Sequence, residues 1–97
     1  MGLEWIVGEY VLVRCRGAGV HAGEIEAVEG EVVVLLRARR VWRWTGGLSC
    51  SELSQHGPGD GSRIAVQVPR QALRDWIELI PCTADARQRL ERWTGAA

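Results

Sequence analysis

The sequence predicts a mainly β fold: a small antiparallel five-stranded SH3-like barrel or sandwich with a short inserted helix and a C-terminal helix. Three observations point there. Apolar and polar residues alternate along the first half of the chain, glycines and prolines interrupt that alternation at strand-length intervals, and only two segments carry helix-start signals. With 97 residues there is chain enough for one domain, 1–97, and too little for a large catalytic architecture.

Residues 9–16 form the first expected strand, with Val11, Val13 and Cys15 on one face and Tyr10, Leu12, Arg14 and Arg16 on the other. Gly17-Ala18-Gly19 breaks it. Residues 20–29 read as a second strand whose Glu24, Glu26 and Glu29 face mostly water, and Gly30 closes a tight turn. Residues 31–44 form the longest strand-like stretch. There Val32, Val34, Leu36, Ala38, Trp42 and Trp44 share the apolar parity, and Arg37, Arg39 and Arg43 share the other. Arg40 falls on the apolar side, which calls for a bulge or for a guanidinium facing a cleft or a subunit interface.

Gly46-Gly47 ends that strand. Ser49 and Glu52 then form a capping box, and Leu48 with Leu53 a hydrophobic staple, starting a short helix that stops near Gly57-Pro58. Residues 59–61 make an exposed loop. Ile64, Val66 and Val68 alternate as a fourth strand ended by Pro69, and residues 76–80 supply a fifth ended by Pro81. Thr83 caps a last helix over 84–93, with Ala86, Leu90 and Trp93 on one face.

Composition narrows the function classes. Twelve basic and twelve acidic residues cancel to a net charge of zero, so no global field draws the protein to a polyanion or an anionic membrane. No apolar run approaches the about 18 residues of a membrane span, and the opening segment has a glutamate where a signal peptide carries positive charge. The expectation is a cytoplasmic protein. Cys15, Cys50 and Cys82 are odd in number and far apart, which disfavours a zinc site or disulfide framework and suits small buried hydrophobes. Five Trp in so short a chain carry more apolar area than a small barrel core needs, which points to a homo-oligomer. Ser49, Ser51 and His56 lie close in sequence, but Ser49 has a capping role and no base or paired carboxylate completes a catalytic set. No enzyme and no cofactor are expected.

One segment stands out. Residues 37–44 hold four arginines and two tryptophans in eight positions, with no acid between Glu31 and Glu52. Guanidinium forks bind phosphate oxygens and indole faces stack on bases, so the pattern suits a nucleotide or single-stranded nucleic acid. The candidate site is Arg39 and Arg40 on phosphate, one of Trp42 and Trp44 stacking, Arg14 alongside, and His21 or Ser49 on a base edge or ribose. An ordinary solvated strand face, its arginines paired with Glu24, Glu26 or Glu29, also fits these residues.

Four stretches resemble a family of small proteins encoded by phages and prophages. They are V-x-V-R-x-x-x-A-G-V-x-x-G at 11–23, A-R-R-(I/V)-W-x-W-x-G at 38–46, S-x-L-(A/S)-x-x-G at 51–57 and I-E-(I/L)-I-P-C-T at 77–83. Together they span most of the chain, and it departs from the pattern at 58–61. The resemblance implies an anti-defence sponge, of the anti-CBASS or anti-Thoeris type: an oligomer in the host cytoplasm that sequesters a cyclic nucleotide immune signal without reacting with it. A neutral protein suits such a compact anion better than long nucleic acid, whose binding grows with the number of phosphates neutralised. Two other readings are a nucleic-acid-binding small barrel and a phage structural or regulatory protein-interaction module.

Overall fold

A computed structural model of the chain describes residues 2–44 and 49–94. After a 3-10 turn at Glu4–Ile6, the elements in order are β1 (Tyr10–Cys15), β2 (Gly19–Glu29), β3 (Val32–Arg43), α1 (Cys50–His56), β4 (Arg63–Ile64), β5 (Val68–Arg74), β6 (Trp76–Pro81) and α2 (Ala84–Glu91). All pairings are antiparallel. The six strands form one sheet in the order β4-β3-β2-β1-β6, with β5 pairing β3 beyond the short β4 contact. The fold is therefore the small mainly β domain expected, with one strand more than anticipated. Neither helix is long and apolar enough to cross a membrane.

Asp75 alone separates β5 from β6, at a φ of 61°. Its N–H donates to Glu31 O and its carbonyl accepts from Arg16 N–H, so this single residue is tied to both flanking hairpins. The chain leaves the outer edge of β3 and continues along the outer edge of β1, which rolls the sheet on itself.

Two apolar clusters result. Val11, Val13, Cys15, Ile25, Val33, Leu35, Ala38 and Leu73 fill the inside of the rolled sheet, plugged by Ile6. Tyr10, Leu12, Val20, Ala22, Val41 and Ile64 face the other way and are covered by Leu53 of α1 and Leu90 of α2. Strand β1 contributes to both, so its residues 10–13 are all buried. The cysteines are free thiols, Cys15 buried and the other two half-buried against the helix-side cluster.

Both helix caps lie where the sequence puts them: Ser49 Oγ accepts from Glu52 N–H, and Thr83 Oγ1 from Ala86 N–H. The expected strand terminator Gly46-Gly47 and the Leu48 half of the staple lie outside the described residues. Helix α2 ends at Glu91, two residues before the expected Trp93.

Two expectations are corrected. The strand assigned to 64–68 is only Arg63–Ile64, and Val68–Arg74 forms a strand of its own that includes Pro69. Among the strands β5 pairs only with β3, and the ladder steps from Leu36↔Arg70 to Ala38↔Val68, leaving Pro69 and Arg37 unpaired. An edge strand tolerates a proline where the ladder needs no donor.

The second correction concerns parity. Arg37 has a φ of 51°, and the β2–β3 register jumps there, from Glu24↔Leu36 to Ala22↔Arg39. This is a bulge, and it reverses the alternation. Ahead of it Val33 and Leu35 are the buried residues, not Val32, Val34 and Leu36; past it Ala38 faces inward while Arg39 and Val41 face the helices. Gly23 stands opposite the bulge, where an added Cβ would lie 3.1 Å from both Leu35 Cβ and Leu36 O. Trp42, placed with the apolar parity, is 53% exposed.

Candidate functional site

A row of paired residues crosses the sheet: Arg14 on β1, Val20 on β2, Val41 on β3 and Ile64 on β4. At the Arg14 end this row meets the first turn of α1. There a depression of about 390 Å³ is lined by Arg14, Val20, Trp44, Ser49, Cys50, Ser51 and Glu78. A second, of about 300 Å³, shares Val20 and Trp44 with it and continues past the Gly17-Ala18-Gly19 turn to Arg40, Val41 and Trp42. The two form one groove divided at Trp44. It gathers five of the seven residues expected from sequence: Arg14, Arg40, Trp42, Trp44 and Ser49.

The groove is basic. Arg14 Nε lies 2.8 Å from Glu78 Oε1, but both side chains are about half exposed, at 49% and 46%. Such a surface pair contributes about 0–1 kcal/mol and exchanges readily for another anion. Arg40, Arg43 and Arg63 have no acidic partner among the described residues. Arg43 and Arg63 are paired across β3 and β4, and the Arg63 guanidinium sits 5.7 Å from the Trp42 ring centre. Trp44 packs against the helix-side cluster, so it forms the groove floor and leaves Trp42 as the exposed indole. Arg63 was not anticipated from sequence; only the β3–β4 register brings it beside Trp42.

The remaining two expected residues do not line the groove. Arg39, expected on phosphate, is 7% exposed on the helix side of the bulge. Its Nε donates to Ala65 O at 2.8 Å and its Nη1 to Leu90 O at 3.0 Å and Trp93 O at 2.7 Å. These are main-chain carbonyls, and the side chain holds the end of α2 to the sheet. Arg37 is likewise occupied: it pairs with Glu24 and reaches Glu91. His21, expected at a base or ribose, is fully buried. It pairs in register with Arg40, and its Nε2 donates to Ala18 O at 2.9 Å, fixing the turn that walls the second depression.

Burial holds the His21 pKa below its ordinary 6.5, and the neighbouring Arg40 charge acts the same way against the Ala18 carbonyl bond. The unfolded chain therefore takes up a proton at His21 that the folded chain refuses. Stability from this group is complete above about pH 6.5 and falls as the pH drops below it, by up to about 1.4 kcal/mol per pH unit. Urea melts at pH 7.5 and 5.5 test this: the wild-type protein loses more stability across that interval than His21→Gln does.

No group of three or more His, Cys, Asp or Glu among the described residues could hold a metal ion. The groove offers guanidiniums, an indole face and a hydroxyl, which is equipment for binding an anion that carries a ring.

A family model matches residues 8–90, which takes in every strand and every groove residue named above. The chain belongs to DUF6948, a domain of unknown function. No curated protein and no solved structure matches it.

Proposed function

We propose that this DUF6948 protein is a non-enzymatic binding protein that captures a small, cyclic nucleotide in the groove on either side of Trp44, acting as a phage-encoded sponge for a bacterial immune signal. The observation that carries this reading is the pair of depressions sharing Trp44, with Arg14 in one and Arg40 in the other. Two guanidiniums on either side of an aromatic floor match a compact ligand that carries two phosphodiesters. Arg40 binds one phosphodiester directly, and Arg14 exchanges Glu78 for another. Trp42 stacks on a base through the ring face that Arg63 leaves free, and Ser49 is placed for a ribose hydroxyl.

The groove is open on one side, and a second subunit laid over Trp42 would enclose the ligand; that is the homo-oligomer this reading carries. A single-stranded nucleic acid is the second reading, favoured by Arg43 and Arg63, which have no acidic partner among the described residues and continue the basic surface beyond the groove.

Thermal-shift measurements with a panel of linear and cyclic nucleotides test the proposal. A cyclic nucleotide at 100 times its Kd stabilises the native state by about 2.7 kcal/mol, with a Tm that climbs with concentration. An oligonucleotide whose affinity falls steeply with salt, while cyclic nucleotides give no shift, would establish the second reading instead. A panel with no shift at all would overturn both.

A further inference from the structure

A separate depression, of about 390 Å³, lies away from the groove and shares no residue with it. Its walls are the α1–β4 loop, through Pro58, Asp60 and Gly61, and the end of α2, through Arg89, Arg92 and Trp93. Both walls are built. In the loop Gly59 O accepts from Ser62 N–H and from Ser62 Oγ, the latter at 2.7 Å. Gly57, at a φ of 80°, leaves room for the Arg89 stem, since a Cβ there would lie 2.7 Å from Arg89 Cδ.

The end of a helix is ordinarily a poor place for an anion, because its last carbonyls point outward with partial negative charge. Here Leu90 O of the last turn and Trp93 O just past it are taken up by the buried Arg39 guanidinium, which also brings a full positive charge beneath the last turn. Arg92 is exposed with no acidic partner among the described residues, and Arg89 holds Asp85 only loosely, at 3.5 Å. The acid in the wall, Asp60, has a partner of its own. Trp93 Nε1 is buried, with no hydrogen-bond acceptor among the described residues. The nitrogen is turned to the interior, so what Trp93 offers the cleft is the rest of its ring.

From these observations we infer that the cleft between the α1–β4 loop and the end of α2 is a second binding site, for an aromatic phosphate ester of mononucleotide size. Arg92 and Arg89 take the phosphate, and the Trp93 ring packs on the ring of the ligand. The volume is in the range of small-ligand pockets and too small for a polymer.

Nitrogen-15 NMR of the tryptophan indoles tests the assignment in the full chain, with AMP as the probe and Trp93→Phe identifying the Trp93 signal. If that variant does not fold, backbone-linked assignment of the wild-type protein supplies the signal. AMP shifts the Trp93 indole resonance saturably, Arg92→Ala weakens that titration by about 10-fold, and Arg40→Ala leaves it unchanged. Inorganic phosphate binds about 10-fold more weakly than AMP, because it lacks the ring. An unmoved Trp93 signal overturns the site, as does an Arg92→Ala titration equal to wild type. Loss of the shift in Arg40→Ala would place the binding in the groove. These outcomes are independent of whether the groove takes a cyclic nucleotide.

Discussion

Arg39→Ala is expected to lower folding stability by about 3 kcal/mol, the range for losing several charge-assisted hydrogen bonds at a buried position. In a domain of this size that is a fall in Tm of about 15 °C. The reasoning starts from the three carbonyls that share this guanidinium. Leu90 O belongs to the last turn of α2, Trp93 O lies just past its end, and Ala65 O belongs to the segment between β4 and β5. Truncation leaves all three without this donor next to an apolar cluster, and it removes the positive charge that complements the helix end. Arg39→Lys rescues only part of the loss, because a single ammonium cannot span acceptors that the guanidinium fork reaches from two nitrogens. Chemical denaturation of the two variants measures both effects, and an Arg39→Ala protein as stable as wild type would contradict the structural role.

Arg40→Ala carries the opposite expectation. Its side chain is exposed and has no acidic partner among the described residues, so folding stability changes by no more than about 0.5 kcal/mol. Under the proposed function, capture of a cyclic nucleotide weakens about 100-fold, the consequence of removing about 3 kcal/mol of guanidinium–phosphate bonding. Calorimetric titration alongside a thermal melt reads both quantities on one sample. A variant that binds as tightly as wild type removes Arg40 from the site, and one that melts far below wild type makes it a structural residue. Two adjacent arginines thus give contrasting phenotypes, because consecutive side chains on a strand point to opposite faces.

That contrast also marks the limit of pattern reading on β3. Alternation correctly identified β1, β2 and the long third strand, and the caps at Ser49 and Thr83 announced both helices, because these are local features: a two-residue period and a side-chain oxygen three residues from an N–H. The anomaly at Arg40 was visible as a parity violation. Its resolution required the bulge at Arg37, whose positive φ and opposing Gly23 involve a neighbouring strand. Pro69 misled for a similar reason. A proline reads as a strand terminator until the partner register shows that no hydrogen bond is asked of it.

The candidate site divides along the same line. Arg40, Trp42 and Trp44 were identifiable as one charged and aromatic stretch, and Arg14 and Ser49 as neighbours of it. Arg63, Glu78 and the Gly17-Ala18-Gly19 wall were not, since they reach the groove only through strand pairing.

By itself the chain's order of residues determined the β class, both helix starts and the presence of a local basic, aromatic segment in a neutral protein, all consequences of short-range chemistry. Which arginine faces the groove and which is buried under α2 was decided by one extra residue in β3, and that His21 braces a turn instead of meeting solvent by its pairing with the inward-facing Val13 of β1. A bulge changes the face of every side chain after it, and its place depends on what lies across the sheet.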